Sequence, residues 1–205
     1  MSSEEGTGKP EILPELNLTD PMAMRALAHP VRMALLELLE VNDTLTATQA
    51  SDLLGESPAN CAFHLRTLAR YGFAEETGGG RGRERPWRAV PMRIHIQSEK
   101  LDTAAAIAAD TLSAQWLERS FDRARQALRR GAPVPDGWEG TPRSTLGHAY
   151  LTRAELEQFA ADVLELFSRF DDRHDPASRP PGSQPVELMF LGYPVTGMTV
   201  AGEES

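Results

Sequence analysis

The chain has 205 residues, of which 40% are apolar, 25% charged and 6% aromatic: enough for one ordinary domain with a buried core plus an appendage. A mean hydropathy of −0.38 and short apolar runs argue against a membrane span, and the single cysteine, Cys61, excludes a disulfide framework or a multi-cysteine zinc site. The formal net charge of −9 argues against indiscriminate nucleic-acid binding but leaves room for a local basic face.

That charge is unevenly spread. Residues 1–20 carry one Lys and five acids, residues 21–99 carry nine Arg and nine acids, and residues 100–205 carry eleven basic groups and sixteen acids. Residues 57–95 alone hold seven Arg against three Glu. A basic segment thus sits inside an acidic chain. The opening MSSEEGTGKPE is acidic where an export signal would be basic, so a cytoplasmic protein is expected.

Taken in chain order, residues 1–19 read as a flexible acidic tail with Pro10 and Pro14. Asp20-Pro21 supplies an N-cap followed by proline at the first helical position. His29-Pro30 interrupts, which predicts two helices, over 21–28 and 30–41. The second carries an apolar stripe at Val31, Ala34, Leu35, Leu38 and Leu39. Thr46 and Gln49 have the spacing of a capping box for a short helix ending before Gly55, and Ser57-Pro58 opens another that runs to about Tyr71. Two short helices separated by Leu54-Gly55-Glu56 make a helix-turn-helix pattern. Residues 73–77 and 86–90 read as two strands joined by GGGRGRER, a glycine-rich, arginine-studded loop. Helix-turn-helix followed by such a hairpin is a winged helix.

Residues 99–130 form a long helix candidate. Leu101, Ala105, Ala108, Leu112, Trp116, Ser120, Ala124 and Leu128 recur at steps of three or four, a stripe suited to packing on a neighbour, often a second copy of the chain, with the first five the candidate dimer contacts. Residues 131–142 are a Pro/Gly-rich linker. Beyond it the pattern predicts a strand–helix–strand extension: a strand over 145–151, a helix capped by Thr152 and Glu155, and an apolar strand over 186–191. Leu156, Phe159, Val163, Leu166 and Phe170 are expected to face inward. With Phe167, Met189, Phe190 and Tyr193 this region either encloses an apolar ligand or forms a second packing layer.

The expected fold class is therefore α+β, mainly α. Its parts are a flexible acidic tail (1–19), a winged-helix DNA-binding domain (20–97), a long dimerisation helix (98–131) and the C-terminal extension (132–205).

ALAHPVRMALLELL, then ATQASDLLGESPANCAFHLRTLARYGFAEE and GRERPW, closely resemble the ArsR family of winged-helix transcriptional regulators over residues 22–90. The resemblance implies a homodimer that reads a palindromic operator on double-stranded DNA and usually represses; a small apolar effector in the C-terminal region is a further candidate partner. The metal-binding cysteine motif of some members is absent, since the corresponding segment reads Thr48-Gln49-Ala50-Ser51-Asp52-Leu53. Asp102 and Asp110 on the long helix have no histidine partner there. No metal or cofactor is expected.

A recognition helix must enter a major groove about 12 Å wide and present side chains to base edges. On the helix from Ser57, the steps of four and three through Cys61, Leu65 and Leu68 mark the core face, so Cys61 is expected to be a small buried residue. The opposite face offers Ala59, Asn60, Phe63 and Arg66, with Ser57 and nearby backbone N–H groups free to hold a phosphate. Asn60 suits adenine, while Phe63 or the methyl of Ala62 suits a thymine methyl. Relatives often carry Ser where this chain has Ala62. His64 is open to two readings, backbone-phosphate contact or half-buried packing. In the wing, Arg81, Arg83 and Arg85 alternate with glycine and glutamate and suit a narrow minor groove, while Trp87 is expected to pack the wing against the body. The alternative reading is a winged helix used for protein–protein contact without DNA. No nucleophile elbow, Cys/His pair or phosphate loop points to an enzyme.

Overall fold

In a computed structural model, residues 13–78, 85–96, 101–141 and 144–195 are described. They divide into two units, Leu13–Thr145 and a second beginning at Leu146.

The first unit is built on locally encoded helix ends. In α1 (Pro21–Leu27), Asp20 Oδ1 accepts a hydrogen bond from the Met22 N–H at 2.8 Å, and Pro21 wastes no donor at the first position. In α2 (Pro30–Val41) the cap is His29, whose Nδ1 accepts from the Val31 N–H at 3.2 Å. The capping box of α3 (Ala47–Leu54) is reciprocal: Thr46 Oγ1 accepts from Gln49 N–H, and Gln49 Oε1 from Thr46 N–H. Gly55 ends α3 at φ +68°, a left-handed turn that any Cβ would strain, and α4 (Pro58–Arg70) starts three residues later under the Ser57 cap. These are the tight turn and second helix of a helix-turn-helix.

The wing follows. Strands β2 (Ala74–Glu76) and β3 (Trp87–Ala89) pair antiparallel, with Glu76 opposite Trp87 and Ala74 opposite Ala89. Leu45 bridges to the far side of Trp87 through two backbone hydrogen bonds of 2.8 and 2.9 Å, which fastens the wing to the turn before α3. Trp87 itself is buried in the core. The hairpin tip, with Arg81 and Arg83, lies outside the described residues.

One pairing departs from the expected flexible tail. Strand β1 (Glu15–Asn17) runs parallel to β4 (Arg93–His95), in register Glu15–Arg93, Leu16–Ile94 and Asn17–His95. Leu18, next in the chain, is buried. A three-residue strand with a partner almost eighty residues away leaves no local signature, whereas its polar composition and prolines do suggest a tail.

The core gathers Met24, Leu27, Leu35, Cys61, Leu65, Leu68, Phe73 and Leu112, each fully buried. Each large apolar side chain contributes roughly 1.5–3 kcal/mol by leaving water. On α2 the buried residues are Met33, Leu35, Leu36 and Leu39, while Val31, Ala34 and Leu38 of the expected stripe are less completely covered. The shift has a simple cause. Helix α2 packs on α1, α3, α4 and β3, so its covered face is wider than one stripe.

Helix α5 (Thr103–Leu128), capped by Asp102, is about 39 Å long at 1.5 Å per residue. Its first half lies on α1 and buries Ala105, Ala108, Ala109 and Leu112.

In the second unit, α6 (Arg153–Ser168) has the expected capping box of Thr152 and Glu155, followed by two 3-10 turns, Asp171–His174 and Pro176–Ser178. The expected flanking strands do not form: residues 145–151 and 186–191 have no strand pairing among the described residues. Leu146 and Tyr150 are fully exposed, so an apolar alternation without a second strand to pair with stays irregular. Nor does α6 have a buried face. Leu156, Val163 and Phe167 are half-buried, whereas Phe159, Leu166 and Phe170 are exposed, the last beneath the Arg173 guanidinium at 4.7 Å. The 186–191 segment meets α6 through side chains instead, with the Phe159 and Phe190 rings 5.6 Å apart. Gly192 allows that approach, since a Cβ there would lie 3.0 Å from the Phe190 ring and 3.1 Å from Leu156.

Candidate nucleic-acid interface

Helix α4 sorts its residues into two faces. Cys61, His64, Leu65 and Leu68 point into the core; Ser57, Ala59, Phe63 and Arg66 are exposed; Asn60, Ala62 and Thr67 lie half-buried between them. Phe63 is 56% exposed, a large aromatic held in water at the middle of the helix. An open cleft of about 350 Å³ separates this face from the wing root. Thr46 and Thr48 line it at the start of α3, Ala62 and Arg66 on α4, and Glu76 and Arg85 in the wing.

Several expected contacts are brought together here and others are not. Ala59, Phe63 and Arg66 are exposed with Ala62 at their edge, and Arg85 lines the same cleft as Ala62 and Arg66. Arg85 is already engaged, its Nη1 lying 2.7 Å from Glu76 Oε2, and Arg88 likewise donates to Glu75 at 2.6 Å. Exposed pairs of this kind contribute only about 0–1 kcal/mol, so a phosphate can displace the carboxylate. Ser57 spends its hydroxyl as a cap, accepting from Asn60 N–H at 3.2 Å.

Asn60 is turned toward the preceding turn. Its Nδ2 donates to Glu56 Oε2 at 2.8 Å, so meeting a base would require giving up that bond. The one-turn spacing of Glu56 and Asn60 was the available signal.

Of the two readings of His64, the structure supports packing. The residue is 6% exposed, its ring lies tilted by 37° against that of His29 at 4.5 Å between centroids, and it turns Nδ1 toward Arg32 Nη1 at 3.4 Å. A side chain on the core side of the helix cannot reach a phosphate on the other side. Cys61 is fully buried, and burial, with Glu56 nearby, pushes its thiol pKa up, away from the reactive thiolate.

The stripe expected to meet a second copy is largely covered by the chain itself. Ala105, Ala108 and Leu112 are buried, Leu101 is half-buried against the same core, and Trp116 lines a small gap against α2 beside Leu36 and Glu37. A helix face covered by α1 is not available to another chain. The large apolar residues left in water on α5 are Ile107, Leu117, Phe121 and Leu128, at 62%, 39%, 42% and 44% exposure. Leu128 ends the expected stripe, whereas Ile107 and Phe121 lie on a seven-residue spacing with it, a signal present in the sequence beside the stronger alanine-rich one.

Among the described residues, no group of three or more His, Cys, Asp or Glu could hold a metal ion, and no helix is long and apolar enough to cross a membrane.

Two helices across a tight turn, a third helix behind them and a two-stranded wing define the winged helix-turn-helix fold. Residues 27–77, spanning α2 to the first wing strand, match the helix-turn-helix domain family. No curated protein matches the chain. Similar solved structures include a transcriptional regulator homologue from Pyrococcus horikoshii, at 22% identity over 50% of this chain and 91% of that one, with a TM-score of 0.32. Another is reduced HlyU from Vibrio cholerae, at 17% identity over 47% and 88%, with a TM-score of 0.31. A third is an oligodeoxyribonucleotide-bound F27L variant of MepR from S. aureus, at 14% identity over 73% and 87%, with a TM-score of 0.29.

Proposed function

We propose that the chain is a sequence-specific DNA-binding regulator of transcription, acting in the cytoplasm as a homodimeric repressor on a palindromic operator. The observation that carries this reading is the cleft: Ala62 and Arg66 of α4 and the wing-root Arg85 border one open groove, and Phe63 stands exposed on the same helix. In the proposed docking, α4 lies in the major groove with Ala59, Ala62 and Phe63 against base edges, and Arg66 holds a flanking phosphate. The wing, with Arg81, Arg83 and Arg85, follows the adjacent minor groove. The net charge of −9 supports selectivity, because acidic flanks repel DNA everywhere except at the basic face.

The dimer reading is supported by the apolar residues on the outer side of α5, and two heads on one axis would read half-sites about one helical turn apart. Release by a small apolar effector is supported by the exposed apolar side chains of the second unit, among them Phe159, Leu188 and Tyr193.

Fluorescence anisotropy on DNA from upstream of the chain's own coding sequence tests the reading. With about eight phosphates neutralised per dimer, affinity should fall roughly 10³–10⁵-fold between 50 and 200 mM salt. Replacing Arg81, Arg83 and Arg85 by Ala should flatten that slope; an unchanged slope removes the wing. No binding at low salt, or binding indifferent to sequence, sinks the proposal and favours a protein partner.

A further inference from the structure

We propose that His29, Arg32 and His64 position the recognition helix and make it acid-sensitive: the cluster seats α4 while both imidazoles are neutral, and protonation loosens it and weakens DNA binding. The last step rests on the DNA-binding reading above; the rest stands on the cluster alone.

The protonation state follows from the hydrogen bonds. Pro30 has no N–H, so the α2 cap is made to Val31, whose N–H donates to His29 Nδ1 at 3.2 Å. A ring nitrogen that accepts carries no proton. Arg32 folds back over the end of α1, where Nε donates to the Ala26 carbonyl and Nη2 to the Arg25 carbonyl at 3.1 Å. Its Nη1 lies 3.4 Å from His64 Nδ1, and because a guanidinium can only donate, His64 Nδ1 must accept. Both rings are therefore neutral, with their protons on Nε2.

The surroundings disfavour a second form. The rings lie 4.5 Å apart, so charging both would place two cations in contact beside a third, Arg32, at the positive end of α2. The other facing groups are Glu56 from the turn before α4, the Tyr71 phenol at the end of α4, and the edge of the Phe63 ring at 5.2 Å. Glu56 is the opposing charge, and it is already bound by Asn60. Burial, then Arg32, hold His29 below the ordinary imidazole value; burial, then His29 and Arg32, do the same for His64.

The cluster joins the end of α1, the start of α2 and the middle of α4. His64 is adjacent to Phe63 and two residues from Arg66, so displacing its ring displaces the reading face.

The test compares the full chain with a His29→Asn/His64→Gln variant, since Asn caps helices well and a Gln amide oxygen can accept from Arg32, and neither titrates. Anisotropy on the upstream DNA at constant ionic strength should show wild-type binding weaken progressively from pH 7.5 to pH 5.5, by up to about tenfold for each ring that takes up a proton. The variant should lose most of that dependence. A flat wild-type profile, or a variant with the same profile, overturns the proposal. If the variant does not fold, nitrogen-resolved imidazole NMR of the wild-type chain decides: both Nδ1 atoms should be bare at pH 7.5, and α4 amides should shift as the rings titrate. A protonated Nδ1, or α4 amides that do not respond, overturns it. No DNA binding at any pH, with α4 still following the titration, removes the DNA reading and leaves the acid-sensitive seat standing.

Discussion

Arg119 of α5 grips Glu37 of α2 with two prongs, Nε at 2.8 Å and Nη2 at 2.6 Å from its two carboxylate oxygens, and Arg123 reaches the same carboxylate at 2.6 Å. The pair is mostly sheltered, with side chains 32% and 20% exposed. It ties the proposed dimer helix to the helix that precedes the helix-turn-helix. Glu37→Gln keeps the shape and removes the charge, leaving two guanidiniums poorly matched. The expected loss is about 1–3 kcal/mol, read from the midpoint of urea unfolding. An unchanged midpoint would mean that the pair contributes nothing to the seating of α5.

The two sides of α5 should respond differently to a charge. Phe121→Asp lies on the exposed side and should convert a dimer to a folded monomer in sedimentation velocity, with a melting temperature that no longer depends on protein concentration. Ala108→Asp places an unpaired carboxylate in the core and should abolish folding. A Phe121→Asp chain that remains dimeric would move the interface away from this face.

Neighbouring positions on α4 separate reading from folding. Leu65 is fully buried, and Leu65→Ala should cost about 2–5 kcal/mol by opening a cavity. Phe63→Ala and Arg66→Ala, on the exposed side, should leave stability within about 0.5 kcal/mol while weakening DNA binding. Arg66→Ala should also lower the salt slope by roughly 0.9 for each phosphate that its guanidinium neutralises. A Phe63→Ala chain as destabilised as Leu65→Ala would contradict this division of faces.

Stability itself should depend on pH in a defined window. The folded-state values of His29 and His64 lie below the ordinary imidazole value of 6.5, so the unfolded chain takes up protons first as pH falls. Their contribution is complete above 6.5 and is lost as pH drops through the folded values, at no more than about 1.4 kcal/mol per pH unit for each histidine. Melting temperature should therefore decline on acidification from pH 7, and less so in the His29→Asn/His64→Gln variant. A melting temperature flat from pH 7 to 5 would show that the two rings titrate alike in both states.

Features that depend on neighbours within a turn or two were legible in the sequence. Asp20-Pro21, Thr46 with Gln49, Gly55 and Ser57-Pro58 set the helix ends because a cap needs only a side-chain oxygen two or three residues from a free N–H. The wing was legible for the same reason, as two short strands about a glycine-rich turn.

Tertiary structure decided which distant groups meet. Whether β1 is tail or strand depends on β4, and whether the alanine face of α5 meets a second chain depends on α1 having covered it first. Residues 186–191 have the composition of a strand, yet a strand exists only where another supplies hydrogen bonds. His64 shows the division most sharply. Its position on α4 was set by spacing, but the surroundings that disfavour its charge were set by the fold: burial first, then His29 and Arg32, thirty-five and thirty-two residues away.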